Sequence, residues 1–185
     1  MKVKEVVLAA AKLLEMESDV IACIEEGDVS GEEKAEKLLT CFNIVENDLA
    51  LNYVPLLQER LFTVNGGAVE YKDFEQAPLR VISVSDAEGR SMPFQIFPTE
   101  IRVGENERKA VISYAYLPKE KGILEDSDYQ MGVSAALAAY GVAAEYCAMR
   151  GLYAEAAFWD KKYKESIAKS HALKRGGKMQ SRKWV

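Results

Sequence analysis

The sequence predicts an α+β fold, mainly α: a helical bundle with an inserted small antiparallel β-sheet region. Three observations predict it. Apolar residues recur at helical spacing through residues 2–52 and again between Ser127 and Ser170. From Leu61 to Tyr116 the period becomes alternating, with turn residues between the runs. A chain of 185 residues is long enough for one sizeable core, so the order helices, strands, helices is read as one domain over residues 1–172. The β insertion then covers about 61–116, and a basic tail covers 173–185.

Val3, Val6, Val7, Ala10, Leu13 and Leu14 fall on one helical face, so a first helix runs from Lys2 to about Met16. Ser18 or Asp19 can cap a short second helix holding Val20, Ile21 and Ile24, ending near Gly27. Ser30 with Glu33 forms a capping box for a third helix reaching about Asn52, with Ala35, Leu38, Leu39, Phe42, Val45 and Leu49 as its buried stripe. Pro55 stops it, because proline lacks a donor and disfavours helix in the residue before it.

The strand block opens with Leu61–Tyr71, read as a hairpin turning at Asn65-Gly66, a pair that tolerates positive φ. Leu79–Ser85 is a strand, Asp86–Gly89 turns it and Pro93–Phe97 returns. Glu100–Val103 and Ala110–Tyr116, joined by Gly104–Glu107, make one further hairpin. None of these glycines has the strand–loop–helix spacing of a phosphate-binding loop.

After the polar connector 119–125, Ser127 with Gln130 reads as the capping box of a helix running to Arg150. Its body carries Ala135, Ala136, Ala138, Ala139, Ala143, Ala144 and Ala148 with Gly132 and Gly141, small residues that let another helix approach closely. Gly151 tolerates positive φ and ends it. Leu152, Ala156, Trp159, Tyr163 and Ile167 form the apolar stripe of a last helix.

Composition bounds function. No apolar run approaches the ~20 residues that span a bilayer, and charged residues within the first helix exclude a signal peptide; cytosolic synthesis follows as the expectation. Cys23, Cys41 and Cys147 lack the short paired spacings of a disulfide framework or thiolate metal site, so buried reduced thiols are expected. His171 is the only histidine, Asp126 and Asp128 suit a helix start, and the many tyrosines suit sheet faces and interfaces. These residues point to no catalytic, cofactor or metal site. The net charge of −5 is uneven: residues 166–185 carry six positive charges and no acid, which leaves −11 on residues 1–165. Such a tail seeks an acidic surface or nucleic acid, or stands as a solvated terminus. The early helices hold Glu17, Asp19, Glu25, Glu26 and Asp28, which excludes a basic recognition helix.

Two stretches carry a resemblance. Val111–Pro118 is a strand ending in an aromatic, proline-terminated segment ahead of an acidic connector and a small-residue helix. Ala138-Ala-Tyr-Gly-Val-Ala-Ala-Glu-Tyr-Cys147 is followed by Gly151 and by a helix with Ala156, Trp159, Tyr163 and Ile167. With a helix ending near Tyr53-Val-Pro55, this order resembles the phage head–tail connector family, the adaptors similar to tail tubular protein A, from about Glu33 to the end of the chain. The resemblance implies a non-enzymatic virion structural protein without cofactors. It implies assembly as a ring of twelve subunits on the portal at the head–tail junction, monomeric when isolated, made in the host cytoplasm, with portal and tail proteins as partners. Double-stranded DNA would pass the lumen without sequence-specific binding, and no membrane is involved. The tail, with Lys174, Arg175, Lys178, Arg182, Lys183 and Trp184, would bind the portal. The residues alone also allow a non-enzymatic bacterial interaction module that homodimerises through its alanine-rich helix pair.

Overall fold

Val3–Leu13 forms helix α1, whose Val3, Val6, Val7, Ala10 and Ala11 are buried on one face. The structure, a computed structural model, describes residues 1–26, 31–104 and 108–174. Helix α2, Glu17–Ile21, runs into a π-helical turn, Ala22–Glu26. Helix α3, Glu32–Asp48, likewise ends in a π-helical turn, Leu49–Tyr53. Ser30 and Gly27, expected as a cap and a stop, lie outside the described residues. Six strands follow: β1 Leu56–Thr63, β2 Ala68–Glu70, β3 Pro78–Ser85, β4 Gln95–Ile96, β5 Glu100–Arg102 and β6 Lys109–Tyr116. Helices α4, Ala135–Met149, and α5, Tyr153–Lys174, complete the order.

The chain divides into two compact units, Met1–Val45 with Lys121–Val185, and Glu46–Glu120. This corrects the expected helical bundle with one small inserted sheet. The described residues are 48% helical and 22% strand with two antiparallel sheets, an α+β fold in which helix is not the overriding component.

In the helical unit α4 is the central element. Its Leu137, Ala138, Ala139, Gly141, Val142, Ala143, Ala144, Tyr146 and Cys147 are buried, which takes in every side of the helix. Helices α1 and α5 both pack on it. A Cβ built on Gly141 would lie 2.8 Å from Val45 Cγ1 on α3 and 3.1 Å from Tyr163 Cε2 on α5. Glycine is therefore what lets α3, α4 and α5 meet at one level.

Helix α4 starts at Ala135, not at Ser127. The Ser127 hydroxyl accepts from Tyr129 N at 3.0 Å, and the Gln130 side-chain amide donates to Ser127 O at 2.9 Å. These are local turn bonds. The backbone there is already engaged: Val3 N donates to Glu125 O at 3.1 Å and Ser127 N to Met1 O at 2.9 Å, a short antiparallel bridge. Gly132, at φ +81°, then redirects the chain. Ser134 is the true cap, its hydroxyl accepting from Leu137 N at 3.2 Å.

The neck of the excursion 46–120 is clasped inside the helical unit. Asn43 Nδ2 donates to Lys121 O at 3.2 Å, and Lys121 N donates to Asn43 Oδ1 at 2.8 Å.

In the second unit the strands form two three-stranded sheets, ordered β1-β6-β3 and β2-β5-β4. Among the described residues the expected hairpins are absent as strand pairs, because the strands on either side of each turn join different sheets, and residues 105–107 of the expected Gly104–Glu107 turn lie outside the described residues. The turn after β1 does form, one residue on from the expected centre: Asn65 and Ala68 bond reciprocally, with Gly66 at φ +60° and Gly67 at φ +80°. Phe62, Val64 and Val69 around it all enter one core with Phe74, Val84, Ile101, Ala110, Ile112 and Tyr114. Two sheets facing a shared core bury more apolar surface than one three-residue hairpin could. Phe74 packs 4.4 Å from Phe62 and edge-on, 4.8 Å, to Tyr114, ring centroid to centroid. Tyr114 settles its hydroxyl on Gln58 Oε1 at 2.9 Å.

Gly141→Val should lower stability by about 2 kcal/mol through overpacking, and Gly141→Ala by less, since alanine regains up to about 1 kcal/mol of helix propensity. Denaturant melts with an unchanged m-value check this. Asn43→Ala strips both bonds from the Lys121 backbone and should cost about 1–3 kcal/mol in the same measurement.

Candidate interaction surface

Three helix ends converge on one groove in the helical unit. Helix α4 stops in a Schellman turn: Gly151 N donates to Ala148 O at 3.0 Å, Leu152 N donates to Cys147 O at 2.9 Å, and Gly151 takes φ +75°. That turn folds Leu152 back against the end of α4 and starts α5 beside it. At the end of α1, Leu14 N and Glu15 N bond back into the helix, and Glu15 takes φ +58°. A left-handed conformation costs a non-glycine residue about 1 kcal/mol, here at Glu15, which lines the groove.

The groove encloses about 570 Å³. Leu13, Leu14, Leu152 and Phe158 are among its apolar walls, and among the described residues Glu15 and Glu155 are the only charged ones lining it. Phe158 is 52% exposed and Leu152 45%, an apolar surface that the helical unit does not cover. Trp159 stacks on Tyr140 at 5.9 Å between centroids and meets Phe158 edge-on at 4.9 Å. Lys162 Nζ lies 5.8 Å from the Phe158 ring centroid, a cation–π contact on the outer side.

Of the stripe expected on α5, Tyr163 and Ile167 are buried, while Ala156 and Trp159 are half-buried and Leu152 exposed. The stripe thus leaves the core towards its N-terminal end and becomes the groove wall. Leu13, Leu14 and Glu15 were not singled out as site residues, because nothing in the sequence marks the positive φ at Glu15.

Lys174 is the last residue of α5, and its side chain lies outside the described residues, as do Arg175, Lys178, Arg182, Lys183 and Trp184. Asp128 pairs with Lys121 at 2.7 Å, where both side chains are largely buried, so this carboxylate is held in a structural ion pair. Among the described residues no group of three or more His, Cys, Asp and Glu side chains could hold a metal ion, and no helix is long and apolar enough to cross a membrane.

The cysteines are free thiols. Cys41 Sγ lies 3.4 Å from Met149 Sδ, and burial, then the nearby Glu145 carboxylate, push its ionisation up to about 12. Cys147 is raised by burial and then by Glu155, whose Oε2 accepts from its thiol at 3.9 Å. At pH 8, in a single-cysteine variant, Cys41 should react with a disulfide reagent roughly a thousandfold more slowly than a free thiol of pKa about 8.5, and at full rate only once unfolded. Since the unfolded thiol ionises first, the native state binds more protons above about pH 8.5, and stability should fall as pH rises beyond it.

The arrangement can hold an apolar side chain flanked by cations: a largely apolar groove with two glutamates in its lining. No protein-family model matches the chain, and no curated protein matches it either.

Proposed function

We propose that this chain is a phage head–tail connector: a non-enzymatic structural subunit that assembles as a ring on the portal and joins capsid to tail. The observation that carries the reading is the succession β6, Leu117-Pro118, polar connector, alanine-rich α4, glycine turn, long α5 and basic C-terminal segment. In that succession α4 is the buried centre of its unit, and its small residues serve close helix approach. Helix α5 spans 22 residues, about 33 Å, and carries the C-terminal segment away from the start of the helix. In this reading Lys174, Arg175, Lys178, Arg182, Lys183 and Trp184 bind the portal, where aromatic and basic residues make efficient anchors. The −11 charge of residues 1–165 favours a lumen that does not grip DNA phosphates.

Mixing the protein with purified portal assemblies and imaging by electron microscopy tests the reading. Portal-capped rings should form with the full chain and be lost on deletion of residues 174–185. Unchanged attachment after deletion refutes the role of the C-terminal segment, and absence of binding to any portal refutes the connector reading.

A further inference from the structure

We propose that the groove between α1, α4 and α5 receives residues 175–185 of a second copy of this chain, with Trp184 entering against Leu14, Leu152 and Phe158. Charge complementarity supports this occupant. The groove lining holds Glu15 and Glu155 and no base, whereas Arg175, Lys178, Arg182 and Lys183 place four positive charges and no acid in the segment. Arg182 and Lys183 directly precede Trp184, the one aromatic side chain of the segment.

The reach of the segment selects a second copy over the same chain. The groove wall at Leu152 lies twenty-two residues before Lys174, about 33 Å along the axis of α5. Gly176 and Gly177 can reverse the chain, but from Gly177 to Trp184 a fully extended chain spans only about 24 Å. The return path also runs along a helix on which Lys161, Lys162, Lys164 and Lys169 outnumber Asp160 and Glu165, a net positive charge that disfavours a basic strand. A neighbouring copy presents its groove without either penalty. Each copy then gives one segment and receives one, a head-to-tail contact that closes into rings or extends as chains. The contact goes beyond the portal reading and adds to it: portal and groove compete for the same residues.

Sedimentation velocity on the full chain tests this with two charge-reversed variants, each verified as folded by circular dichroism. The unmodified chain should associate as concentration rises. Glu15→Lys with Glu155→Lys, and separately Arg182→Glu with Lys183→Glu, should each weaken association by about tenfold or more. An equimolar mixture of the two variants pairs native segment with native groove and reversed segment with reversed groove, so it should recover the association that each variant alone has lost. All four substitutions in one chain should restore association. The proposal is overturned if the unmodified chain stays monomeric, if either variant associates like it, or if the mixture fails to recover association. No portal is present in this assay, so its failure leaves the connector reading standing, and failure of portal capture leaves the groove contact standing.

Discussion

The helical unit depends on the absence of one methyl group. At Gly141 the backbone of α4 comes so close to Val45 of α3 and Tyr163 of α5 that a side chain would have to displace one or the other. Helix axes this close need small residues at the contact, and Ala138 and Ala144, three residues to either side on the same face, extend that smooth surface along α4. The large side chains come from the surrounding elements instead: Val3, Val6 and Val7 from α1, Leu38 and Phe42 from α3, Tyr163 and Ile167 from α5. A central helix of small residues and a ring of bulky ones divide the packing between them, and interior density follows.

The strand unit solves a different problem. Strands as short as Ala68–Glu70, Gln95–Ile96 and Glu100–Arg102 have little stability as isolated hairpins. Stacking them over the longer β1-β6-β3 sheet makes one aromatic and aliphatic core serve six strands. The positive φ of Gly66 and Gly67 is used here to carry the chain from one sheet to the other. Ion pairs such as Arg60–Glu75 lie on exposed side chains and add little beside that core.

Much of this was legible in the sequence. The periodicity of Val3, Val6, Val7 and Ala10 marks α1 and its buried face, and Gly151 marks the end of α4 with the φ its position demands. What was not legible is nonlocal. Strand pairing depends on which residues share a core, and the Asn65-Gly66 signal specifies a turn without specifying that its flanks pair. The Ser127–Gln130 signature is a real pair of hydrogen bonds, yet it cannot start a helix where the backbone of residues 125–127 already bonds to Met1 and Val3. The groove was hidden for the same kind of reason. Leu152 and Phe158 look like core residues by type, and only the folded chain shows them exposed, in one groove with Leu13, Leu14 and Glu15.

The clasp between Asn43 and Lys121 has a consequence for modularity. Because the two chain ends bordering residues 46–120 are joined by a reciprocal amide pair, the helical unit closes on itself at that point. The entropic cost of a closed loop grows only with the logarithm of its length, so the size of the excursion hardly burdens the scaffold that carries it. The inserted unit is in that sense cargo on a latched hook: its surface can be lengthened, shortened or recut by mutation while the latch and the helices behind it stay the same.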